Sequence, residues 1–100
     1  MADYQVTRWR DIPSMVVARV DDEVVKIALA ARFQEAIDEA AMRLGETDAD
    51  AYLAGWARSE WQQREGSPAD VAALVAAELD AAFPQTALDA LLDDMNGAQG

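Results

Sequence analysis

The chain has 100 residues, 8 basic and 19 acidic, for a net charge of −11. It contains no cysteine and no histidine. That removes thiol and imidazole chemistry, disulfides, and the ligand sets of structural zinc and iron–sulfur clusters. One hundred residues suit one small domain, because two independent cores would each be too small. An apolar share of 52% is too high for a disordered chain.

No apolar run approaches the roughly 20 residues that cross a bilayer, and no signal-peptide pattern opens the chain. These points lead us to expect a cytoplasmic protein with no membrane contact. Residues 1–64 hold all 8 basic residues and 12 acidic ones, whereas residues 65–100 hold 7 acidic residues and no basic one. Such an acidic half repels phosphate, so nucleic acid is not an expected partner. Seven of the basic residues are arginine and only Lys26 is lysine. Arginine suits ion pairs and interfaces through its planar fork.

In chain order, Tyr4 to Arg10 reads as a first strand, with a turn at Asp11-Ile12-Pro13-Ser14 because proline cannot donate to a ladder. Met15 to Val20 reads as a second strand. Asp21-Asp22 closes a hairpin, and Glu23 to Leu29 returns as a third strand. Three strands need a covering layer. From Ala30 the period becomes 3.6: Phe33, Ile37, Ala40, Ala41 and Leu44 share one face, and Gly45 stands where a helix C′ glycine belongs.

Thr47-Asp48-Ala49-Asp50 has N-cap spacing, with Thr47 as the cap. The helix it opens is expected to carry Tyr52, Leu53, Trp56 and Trp61 and to end near Arg64-Glu65-Gly66. Ser67-Pro68-Ala69-Asp70 starts another helix, with Val71, Leu74, Val75, Leu79 and Ala82 as its buried stripe. Phe83-Pro84 interrupts it, and Thr86 caps a last short helix with Leu88, Leu91, Leu92 and Met95 inward. The expected fold is α+β: a three-stranded antiparallel N-terminal β-sheet covered by about four α-helices. It forms a single domain over residues 1–95, with strands about 4–29 and helices about 31–95. Residues 96–100 form a frayed tail.

Arg8-Trp9-Arg10-Asp11 is the first candidate site. In a strand, Arg8 and Arg10 point to one face and Trp9 to the other. Two adjacent guanidiniums suit a phosphate, a carboxylate or an acidic strip of a partner. The plainer reading has Trp9 anchoring the sheet while both arginines pair with internal acids such as Asp11 or Glu35. Arg32 and Gln34 lie at the sheet-to-helix junction, beside the first strand. Tyr52, Trp56 and Trp61 are candidate interface residues, since such aromatics are enriched in interfaces; the competing reading places them in the core. The acid pairs Asp48/Asp50, Asp21/Asp22 and Asp93/Asp94 read as solvated charge in turns and at chain ends. No glycine-rich phosphate loop and no nucleophile elbow occurs. A non-enzyme is expected, with no cofactor, no metal and no catalytic residues of its own.

Three blocks also carry a family resemblance. They are Trp9-Arg10-Asp11-Ile12-Pro13, Arg32-Phe33-Gln34-Glu35-Ala36-Ile37-Asp38-Glu39-Ala40-Ala41-Met42, and Asp48-Ala49-Asp50-Ala51-Tyr52-Leu53-Ala54-Gly55-Trp56. In this order and spacing, the stretch from about residue 5 to 60 resembles the small bacterial "virulence factor" domain family. The same domain is found in conserved virulence factor C proteins. The resemblance implies an accessory subunit or partner of one-carbon enzymes, namely folate- or corrinoid-dependent methyl-transfer enzymes.

Two functional expectations follow. The first is a non-catalytic accessory, protein-interaction module whose sheet edge and Arg8/Arg10 face dock a larger protein partner. The second is an anionic small-molecule-binding protein, with Arg8, Arg10, Arg32 and Gln34 holding the anion and contributing to a partner's active site. A homodimer formed through Trp56 and Trp61 is a third possibility.

Overall fold

A computed structural model describes residues 1–45 and 48–97, with residues 95–97 described by backbone alone. β1 (Ala2–Trp9), β2 (Ile12–Val20) and β3 (Glu23–Ala28) form an antiparallel meander. Each of its two hairpins turns on two residues, and the first residue of each loop is left-handed: Arg10 at φ 53° and Asp21 at φ 51°. A positive φ at that position matches the right-handed twist of the flanking strands. Aspartate tolerates this region better than arginine does.

Pro13 lies inside β2 rather than in the turn. The register explains how. Thr7 faces Met15 while Arg8 faces Pro13, so Ser14 is an extra, unopposed residue of a β-bulge. A bulge is one of the places where a strand accepts proline, because the ladder is already interrupted.

The described residues form five strands, not the three expected, and four helices. α1 (Ala31–Arg43) runs as its periodicity predicts and ends at Gly45, whose φ of 72° is the left-handed conformation that glycine adopts without penalty. α2 (Ala49–Ala54) is only 6 residues long and is capped by Asp48, whose side chain accepts from the Ala51 N–H at 2.8 Å. The expected cap Thr47 lies outside the described residues. The helix predicted to run on to Arg64 instead stops at Gly55, and the chain becomes β4 (Trp56–Arg58) and β5 (Gln62–Arg64). Both pair with the free edge of β1, giving the order β3-β2-β1-β4, with β5 beside the other half of β1.

α3 (Pro68–Ala82) starts as its sequence predicts, with Ser67 Oγ accepting from the Asp70 N–H at 3.1 Å. Its buried side chains are Pro68, Val71, Ala72 and Val75, whereas Leu74 is exposed and Ala72 takes the inward place instead. α4 (Gln85–Gly97) begins one residue before the expected cap Thr86, which lies in its first turn. The helix extends through Asn96 and Gly97, and the rest of the expected tail lies outside the described residues. The side chain of Met95 lies outside the described residues.

Two apolar clusters hold the fold together. In one, Val6, Val16 and Ala18 from the sheet meet Val71, Ala72 and Val75 of α3. In the other, Trp9 and Ile12 at the hairpin end meet Phe33, Ile37, Leu88 and Leu92 of α1 and α4. α3 therefore covers the sheet face that carries Tyr4, Val6 and Arg8. Neither cluster includes Met15, Val17 or Val24, which alternate onto the opposite face.

Candidate functional site

The Arg8-Trp9-Arg10-Asp11 segment does not make the two-arginine face expected of a continuous strand. β1 ends at Trp9, so Arg10 and Asp11 are the two exposed residues of the hairpin turn. The left-handed backbone at Arg10 takes its side chain off the ladder, and its guanidinium lies 5.5 Å from the centre of the Trp9 ring. Its N–H donates to the Gly55 carbonyl at 2.8 Å, which ties the turn to the end of α2. Arg8 remains on the α3 side of the sheet, half-buried.

Trp9 is fully buried, and its indole N–H donates to the Tyr52 carbonyl at 2.7 Å. Tyr52 stacks on it with ring centres 5.8 Å apart, and Trp56 meets Tyr52 edge-on at 6.0 Å. Tyr52 and Trp56 thus pack against the cluster of Trp9, Ile12 and Phe33 from α2 and β4. Trp61 stands elsewhere. It is exposed, and Arg19 of β2 stacks over its ring at 3.8 Å.

Arg32 and Gln34 also separate. Arg32 donates to Asp80 Oδ1 at 2.9 Å and to the carbonyls of Asp80 and Phe83 at 2.8 and 3.1 Å. It therefore satisfies carbonyls that the end of α3 leaves open, and locks the start of α1 against them. Gln34 is exposed and donates to Asp38 Oδ1, one turn along its own helix. Arg8, Arg10, Arg32 and Gln34 accordingly occupy four different settings rather than one pocket.

Two surfaces went unread in the sequence. The first is the open sheet face. Opposite α3, strand alternation places Asp3, Met15, Val17, Arg19, Val24, Lys26 and Arg58 together. Three cations face one carboxylate there, in a chain of net charge −11. Trp61 and Val24 are the exposed large apolar residues at this face, at 37% and 52%. The Val16-Val17-Ala18-Arg19 alternation was the available signal: one side apolar and buried, the other ending in arginine.

The second is a cleft of about 270 Å³ between the edge of β1 and α3. Val6, Val75 and Leu79 form its apolar wall, and Arg8, Gln62 and Glu78 its polar one. Both Glu78 oxygens are held by the Arg64 fork, at 2.8 and 2.6 Å. Those hydrogen bonds lower the carboxyl pKa below its usual value and raise that of the guanidinium. Among the described residues, no group of three acidic side chains is placed to hold a metal ion.

The architecture is thus that of a small α+β protein, with one face of an antiparallel sheet under α3 and the other covered only at the hairpin end, where Trp9 and Ile12 meet α1 and α4. Residues 7–92 match the Virulence factor family, and the chain belongs to it. No curated protein and no solved structure gives a significant match. Among the described residues, no single helix is long and apolar enough to cross a membrane.

Proposed function

We propose that the chain is a non-catalytic accessory module that docks a larger protein through its open sheet face. One observation carries this reading. Trp61 is an exposed tryptophan stacked by Arg19, on a face where three cations oppose one carboxylate. Tryptophan and arginine are the residues most enriched at the energetic centres of interfaces. The cationic balance suits an acidic partner surface. Strand β3 adds a free edge, although Lys26 and Glu23 on it discourage pairing with other strands.

The family resemblance makes folate- and corrinoid-dependent methyl-transfer enzymes the first partners to assay, with the cytoplasm as the setting. The test is affinity capture by the tagged full chain from its native lysate, with a Trp61→Ala/Arg19→Glu variant alongside. The wild type should retain one stoichiometric larger enzyme, and the variant should lose it without a change in melting temperature. Equal retention by both, or retention by neither, overturns the reading.

A further inference from the structure

Arg8 differs from the other arginines of similar burial. Arg32 has Asp80, Arg43 has Glu39 and Asp93, and Arg64 has Glu78. Arg8 is half-buried in the cleft, and no hydrogen bond or ion pair reaches its guanidinium among the described residues. The nearby Glu78 does not supply one, because Arg64 engages both of its oxygens. The Arg8 nitrogens keep solvent contact, so the planar fork is open to an acceptor that enters the cleft. Gln62 stands in the same cleft. Its Oε1 accepts from the Tyr4 hydroxyl at 2.8 Å, which leaves its amide N–H donors without a partner among the described residues.

We propose that this cleft binds a small aliphatic carboxylate, with Arg8 as the anion receptor, Gln62 as a second donor and Val75 and Leu79 against the aliphatic tail. The chemistry selects the ligand class. A guanidinium fork matches a carboxylate in bidentate geometry. A phosphate dianion would face the Glu78 carboxylate and the acidic charge of the whole chain. A volume of about 270 Å³ lies at the small end of ligand sites, so the tail is short. The cleft lies on the α3 side of the sheet and the docking face on the other, so either reading can fail alone.

The experiment titrates the isotopically labelled full chain with sodium isovalerate, acetate and inorganic phosphate at matched ionic strength. Isovalerate should move the amide signals of Val75 and Leu79 and the side-chain amide of Gln62. It should also raise the melting temperature by about 5 °C at tens of millimolar, by mass action on the folded state. Acetate should act more weakly and phosphate not at all. Arg8→Gln should weaken isovalerate binding at least tenfold. Arg8→Lys, which keeps the charge and loses the fork, should fall between. No shift at the cleft residues in the wild type overturns the proposal, as does an equal response to all three anions. An unchanged affinity in a folded Arg8→Gln variant does so too.

Discussion

A side chain on Gly55 would meet the Trp9 indole: an added Cβ stands 2.5 Å from both Cε2 and Nε1. The close approach follows from the Trp9 hydrogen bond to the Tyr52 carbonyl, which draws the ring under the last turn of α2. Trp9 cannot back away, because it is fully buried against α1 and α4. Gly55→Ala should therefore destabilise the fold by about 1–3 kcal/mol through overpacking. Urea unfolding with the tryptophan signal as readout measures it. A change under about 0.5 kcal/mol, the usual size of a surface effect, would show that the ring yields.

The edge partner of β1 slips by one residue between its halves. Thr7 pairs with Arg58 but Tyr4 pairs with Gln62, so three residues, Ser59 to Trp61, oppose Gln5 and Val6. Ser59 repairs the interruption. Its N–H donates to the Val6 carbonyl, its Oγ accepts from the Val6 N–H at 2.9 Å, and its carbonyl accepts from the Gln5 amide at 3.0 Å. Ser59→Ala strands the Val6 donor and should cost about 1–3 kcal/mol. Amide exchange at Val6 should also speed up in the variant. Unchanged exchange would mean that water takes the place of the hydroxyl.

The Arg64–Glu78 clip ties β5 to α3 and gives the stability a defined pH dependence. Hydrogen bonds from Arg64 hold the Glu78 carboxyl below its ordinary 4.5, so folding favours its ionised form. That contribution is fully present above about pH 4.5 and is lost as pH falls through the lowered folded value. Wild type should therefore melt above Glu78→Gln at neutral pH, and the two should converge on acidification below 4.5. Both groups are solvent-accessible, so 1 M salt should shrink the gap at neutral pH. A gap that persists at pH 2 would assign the difference to packing rather than charge.

The helices α1 and α3 were legible because they bury a stripe of their own side chains and carry local stop and start signals, Gly45 for one and Ser67-Pro68 for the other. β4 and β5 were not. Between Trp56 and Arg64 there is no valine, isoleucine or threonine, and most of the side chains remain exposed. Those strands exist because the edge of β1 offers them hydrogen bonds, and periodicity does not record that. The paired arginines failed for a similar reason. Alternation puts Arg8 and Arg10 on one side only while the strand lasts, and the two-residue turn claims Arg10. The cleft depended on β5 for Gln62 and Arg64, so it could not be assembled from a reading that made that segment helical.

The order in which the chain visits its two apolar clusters has a further consequence. Ala2 and Val6 belong to the α3 cluster, Trp9 and Ile12 to the other, Val16 and Ala18 to the α3 cluster again, then α1, α3 and α4 alternate between them. The clusters are interleaved along the sequence five times over, and Leu29 packs against both. No cut in the polypeptide separates one from the other, so no fragment inherits a complete interior. Such threading makes a chain of 100 residues lose its structure in one step, and it ties the sheet face opposite α3 and the cleft beside α3 to the same cooperative unit.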